Sequence, residues 1–259
     1  MNTKLISQKA LDVIAQYENF SFGNASCGIP YFNNKTSLIR AGLRANIGKG
    51  SPKDIYDELQ AFIIKYHIDP ASLDSDNIKK ILVENNIGID CSAFAYYVLN
   101  AFSIDSNYGQ LDRHLKFTHC SGILGKMRCK LRPVENCDVM TMSDNANSHI
   151  VRLDAINVGD FISMTNSALD NIRDHILIIY KVEYQNFKSI KLYYSHAIAY
   201  PDDGVYGTGI KKGEITITSS DGLISDQEWM ENNKTGEYNV LLQRAKISTT
   251  EVRRMNWFK

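Results

Sequence analysis

The sequence shows no surplus of charge of either sign. Its 29 Lys and Arg are matched by 29 Asp and Glu, so no net field draws the chain toward polyanions, and nucleic acid is not an expected partner. No apolar run approaches the roughly 20 residues that cross a bilayer, so no membrane span is expected. No glycine-rich phosphate loop and no Cys-x-x-Cys pair is present, so neither a nucleotide cofactor nor a zinc site is expected. Internal repeats and low-complexity tracts are absent. The opening MNTKLISQKALDVIAQYENF contains no continuous apolar stretch, being interrupted by Gln8, Lys9 and Asp12. It does not read as a signal peptide. The expectation is a cytoplasmic protein, or one released by phage lysis or a dedicated secretion machine. Five cysteines at irregular spacing, without an export signal, are expected to be reduced thiols.

What is present is an ordinary globular composition, 44% hydrophobic over 259 residues, enough for a sizeable core. The first third reads as helix. Ile6, Ala10, Val13, Ile14 and Tyr17 recur at helical spacing. Ser51-Pro52 with Asp54 is a helix start, followed by Ile55, Leu59, Phe62, Ile63 and Tyr66 on one face. Another helix begins near Ser75, and a third at or just before Cys91. Strand-like segments follow: Gly159 to Met164, His175 to Val182, Ile190 to Tyr200 and Gly213 to Thr218. Helices first and an antiparallel sheet after make an α+β fold. The division expected is an N-terminal helical region, 1–86, packed on a core, 87–259, with an insertion at about 103–157; together they form one unit.

Chemistry concentrates at Cys91. A thiol attacks only as thiolate, which a helix N-terminus and a neighbouring histidine promote. Gly88 supplies a turn, and Asp90 and Ser92 are helix-entry residues around Cys91. A histidine base oriented by a third group is still required. A hairpin turning at Gln185-Asn186 sets His175 opposite His196, with Cβ atoms about 5 Å apart. A slip of the turn by one residue sets His175 opposite Ile198 instead, an arrangement expected to place the two rings less well.

GIDCSAFAYYVLN resembles the nucleophile motif of the NlpC family of papain-like bacterial cell-wall cysteine peptidases, with Ala93 in place of the usual glycine. VGDFISM, DHILIIY and YYSHAIAY resemble that family's later strands in the same order, and GIPYFNN resembles its Gly-Thr-Pro-Tyr segment. The resemblance implies a papain-like core with Cys91 as nucleophile, His175 as base and His196 as orienting residue. It implies that Tyr31 lines the site, and that Asp90 and Ser92 bind the amino end of a peptidoglycan stem peptide. The reaction implied is thioester-mediated cleavage between D-glutamate and a diamino acid, with no cofactor and no metal. The same site also fits an acyltransferase, a deamidase or a toxin-like effector. A binding module with a decayed site is a third reading, which the retained Cys-His-His set opposes.

Two other features stand out. His119, Cys120, Cys129 and Cys137, with His114, are the residues a zinc ion would use, and their spacing does not favour one. Lys126, Arg128, Lys130 and Arg132 alternate, as on the solvent face of a strand.

Overall fold

The alternating segments of the second half assemble into one large sheet, and the helical first half packs against it. A computed structural model describes residues 2–34, 43–169 and 173–259. In chain order the elements are β1 (Asn2–Leu5), α1 (Gln8–Glu18), β2 (Phe20–Phe22), β3 (Ala25–Cys27), α2 (Pro52–Lys65), α3 (Ser75–Glu84) and α4 (Cys91–Asp105). Then come α5 (Gly122–Leu131), α6 (Pro133–Asn136), α7 (Val139–Ser143), β4 (Ser148–Ile150), β5 (Phe161–Thr165), β6 (His175–Gln185) and β7 (Lys188–Ile198). The chain closes with β8 (Gly209–Thr216), β9 (Glu228–Glu231), β10 (Lys234–Thr235), α8 (Val240–Lys246) and β11 (Thr249–Met255).

The described residues are thus α+β, with eight helices and a nine-stranded antiparallel sheet. The sheet order is β10-β9-β8-β7-β6-β5-β11-β4. Strand β6 has two neighbours along one edge: β5 pairs with His175–Ile178 and β1 with its far end, Lys181–Tyr184. Residues His175 to Ile179 are buried without alternation, as expected for a strand covered on both faces.

Local chemistry explains the helix starts. At α2 the Ser51 side chain accepts from the Asp54 backbone N–H, and the Asp54 carboxylate accepts from the Ser51 backbone N–H. This reciprocal cap is worth about 1 kcal/mol. Helix α4 packs on β6 and β7, and α1 packs on α4. Its residues Cys91 to Tyr96 are all buried, so it lies between layers rather than burying one stripe. One continuous apolar core runs from Ile6 to Phe258, so regions 1–86 and 87–259 share a single interior.

Three expectations are corrected. Cys120 and Cys129 form a disulfide; only Cys27, Cys91 and Cys137 are free thiols. The alternating basic residues lie on or just after a helix, α5, because its neighbours Ile123, Leu124 and Met127 follow helical rather than strand spacing. The β6–β7 turn is Asn186-Phe187, not Gln185-Asn186. Both turn residues have positive φ, 49° and 64°, the tight hairpin geometry that matches strand twist. Residues 103–157 hold α5 to α7 and the edge strand β4.

Candidate active site

Cys91 is presented by a short crossing of three extended segments. Ile89 bridges to Tyr31 on one side and to Lys49 on the other. The Asp90 backbone N–H donates to the Gly48 carbonyl at 2.8 Å. The approach requires glycine twice. Gly48 has φ +74°, and a Cβ there would stand 2.1 Å from the Phe32 carbonyl oxygen. A Cβ on Gly88 would meet the Pro30 oxygen at 2.5 Å. Asp90 then caps α4, accepting from the Ala93 backbone N–H at 2.7 Å, and Cys91 is the first helical residue.

The hairpin supplies two histidines. Continuing the observed register sets His175 opposite Ile198, so the slip that was expected to separate the rings has occurred. They meet regardless. His196 and Ile198 lie on the same face, and the diagonal neighbour on a strand pair is within reach of an aromatic ring. His175 Nε2 lies 2.7 Å from His196 Nδ1, and both rings are buried. His196 Nε2 lies 3.0 Å from Glu231 Oε2, and the Tyr200 hydroxyl donates to Glu231 Oε1 at 2.5 Å. With both rings neutral and Glu231 ionised, this chain fixes the tautomers. His196 donates from Nε2 to the carboxylate and His175 donates from Nε2 to His196, so the lone pair of His175 lies on Nδ1.

The thiol lies against the start of strand β6. The backbone N–H of Ile176, the residue after His175, is directed at the Cys91 sulfur. Burial, then the Asp90 charge, pushes the thiol up to about 12, against the opposing pull of Arg244 and Lys49. Burial, then the positive charge of Arg244, then the neighbouring His196 ring, holds His175 well below the ordinary imidazole range. Both shifts favour the neutral thiol and the neutral imidazole. Burial works to raise Glu231, but His196 and the surrounding hydrogen bonds hold it below the usual carboxylate range.

A cavity of about 450 Å³ opens beside His175. Tyr31, Tyr200 and Arg244 supply its polar wall, and Ile198 and Leu241 part of its apolar one. Arg244, on α8, has its charge directed at Cys91, Tyr31 and Tyr200. Its Nη2 donates to the Arg173 carbonyl, while its Nε is buried without a hydrogen-bond partner among the described residues.

Asp90 and Ser92 face the other way. The buried Lys49 ammonium lies 2.9 Å from Asp90 Oδ2, 2.6 Å from Ser92 Oγ and 3.4 Å from the Cys137 carbonyl oxygen. Ser92 donates in turn to Asp90 at 2.9 Å. The amino group these two residues hold is the chain's own.

The fold thus places Tyr31 and His175 on one cavity, with His196 bonded to His175 and Cys91 against the strand that carries it, and turns Asp90 and Ser92 to an internal partner. Sequence reasoning missed Glu231, Arg244, Tyr200 and Lys49. The usable signal for Glu231 was Asn232-Asn233, a hairpin dipeptide whose residues both have positive φ. Arg244 follows the Asn239 helix cap, which accepts from the Leu242 backbone N–H. Among the described residues one metal-like cluster occurs, His119 with Cys120 and Cys129, and there the two sulfurs are joined to each other. Compared with known proteins, the chain matches no family model, no curated protein and no solved structure.

Proposed function

We propose that this chain is a papain-like cysteine hydrolase that cleaves an amide bond through a thioester on Cys91. The observation that carries the reading is the chain His175–His196–Glu231, with steps of 2.7 and 3.0 Å, on a strand whose next backbone N–H, that of Ile176, is directed at the Cys91 sulfur. Neutral resting partners suit general-base catalysis, in which proton transfer and attack are coupled. His175 Nδ1 takes the Cys91 proton as sulfur adds to the carbonyl carbon. The oxyanion is met by the unsatisfied amide of Cys91 at the helix start and by the Arg244 guanidinium. The His175 proton then passes to the leaving nitrogen, and the C–N bond breaks to leave the thioester. Water, deprotonated by the same nitrogen, releases the acid and restores the thiol.

The substrate class proposed is a peptidoglycan stem peptide, cut between D-glutamate and the diamino acid, as the motif resemblance implies. A second reading, an acyltransferase, deamidase or toxin-like effector, is favoured by Lys49. Its ammonium occupies the Asp90–Ser92 pair that a substrate amino end would need. Incubating the protein with purified stem peptides and reading products by mass spectrometry tests both. Cleavage after D-glutamate, lost in Cys91→Ala, supports the first. No cleavage, with Cys91 acylated by a simple thioester donor, supports the second. Neither product nor acyl-enzyme contradicts both.

A further inference from the structure

Helix α5 is built the wrong way round for a core helix. Its only buried side chain is Cys129, which the disulfide to Cys120 ties to the preceding loop. Ile123, Leu124, Met127 and Leu131 fall within an arc of about 100°, and that arc faces solvent. They are 87%, 76%, 54% and 71% exposed. A surface helix normally turns such a stripe inward. Exposed cations flank it, Lys126 and Lys130 on one side and Arg128 on the other. None of these three is in an ion pair among the described residues, whereas Arg132 is already matched by Glu135. Beside the helix lies a groove of about 520 Å³ with Leu115, Phe117 and Met127 in its walls and Lys116, Lys126 and Lys130 contributing amines.

We propose that α5 and this groove form a docking surface for an anionic phospholipid bilayer. An apolar stripe between rows of cations is the pattern of a helix lying in a membrane interface, with the apolar arc among acyl chains and the amines at the phosphates. The chemistry disfavours the other occupants. A second copy would set its own cations against these, and a nucleic-acid backbone offers nothing to the four exposed apolar side chains. The balanced net charge of the whole chain does not conflict, since headgroup attraction acts within a Debye length. The inference is independent of the chemistry at Cys91.

The test is cosedimentation of the full chain with vesicles of phosphatidylglycerol and phosphatidylcholine, against phosphatidylcholine alone. Binding to the anionic vesicles is expected, weakening with salt and at least about 10-fold poorer without phosphatidylglycerol. Lys126→Gln with Lys130→Gln should weaken it by about 30-fold. Leu124→Ser with Met127→Ser should also weaken it without changing thermal unfolding, because neither side chain is buried. Three results would overturn the proposal: no binding at low ionic strength, binding indifferent to both double variants, or a dimer in light scattering that Leu124→Ser with Met127→Ser dissolves.

Discussion

The two sides of Cys91 are made from similar parts and put to opposite use. On the Asp90 side every strong polar group is matched: Lys49, Asp90 and Ser92 satisfy one another and are buried together. On the His175 side the chain of partners stops short. His175 enters the His196–Glu231 chain through Nε2 alone, and Arg244 Nε, buried, has no partner among the described residues. Buried polar groups are normally satisfied, and the exceptions ask for an explanation. A closed network rigidifies; an open one waits for a reactant. The side that opens onto the cavity is the open one.

This contrast breaks if variants on the two sides behave alike. The largest expected effect is on the open side: Cys91→Ala or His175→Ala should each lower kcat/KM by at least about ten-thousand-fold. Their urea unfolding midpoints should shift far less than the activity. Next is Glu231→Gln, which removes the carboxylate that sets the ring tautomers and should cost about 100-fold in kcat/KM. A loss as large as that of His175→Ala would mean that Glu231 does more than orient.

Arg244→Gln should cost about 10-fold or more in kcat. It also carries a pH signature. The Arg244 charge disfavours protonated His175, so removing it lets the His175 pKa rise. The acid limb of kcat/KM, expected below the ordinary imidazole range in the native protein, should then move to higher pH. A limb that stays in place would separate Arg244 from the base. The smallest effect on activity belongs to the closed side. Lys49→Met leaves a buried carboxylate unpaired and should cost about 3 kcal/mol of stability by urea unfolding. Its folded fraction should lose less activity than Glu231→Gln.

Much of the site was readable because its parts lie in short local patterns. Asp90-Cys91-Ser92 marks a helix entry by capping chemistry alone. His175 and His196 stand at the far ends of two strands whose run of apolar residues is unmistakable. Even the register error did no harm, because moving His175 from His196 to Ile198 keeps the rings on one face. The rest depended on long-range pairing. Glu231 reaches His196 only because β9 pairs with β8 and β8 with β7. Lys49 pairs with Asp90 across 41 residues, through bridges that have no sequence period. Strand β1 is exposed along all four residues, β11 mixes Thr, Glu and Arg with Val252 and Met255, and no local signal says that β11 inserts between β5 and β4. The Cys120–Cys129 disulfide was missed because odd cysteine counting describes a framework, not a single bridge inside a surface excursion.

The account stands or falls on whether His175 activates Cys91. The direct measurement is the rate of alkylation of each free thiol by iodoacetamide at neutral pH, read by peptide mass spectrometry in native protein and in His175→Ala. Cys27 is the more exposed thiol, and simple access would make it the faster. The account predicts that Cys91 reacts faster than Cys27, and that His175→Ala slows Cys91 by about 100-fold while leaving Cys27 unchanged. Cys91 reacting no faster than Cys27, or at the same rate without the imidazole, would contradict it.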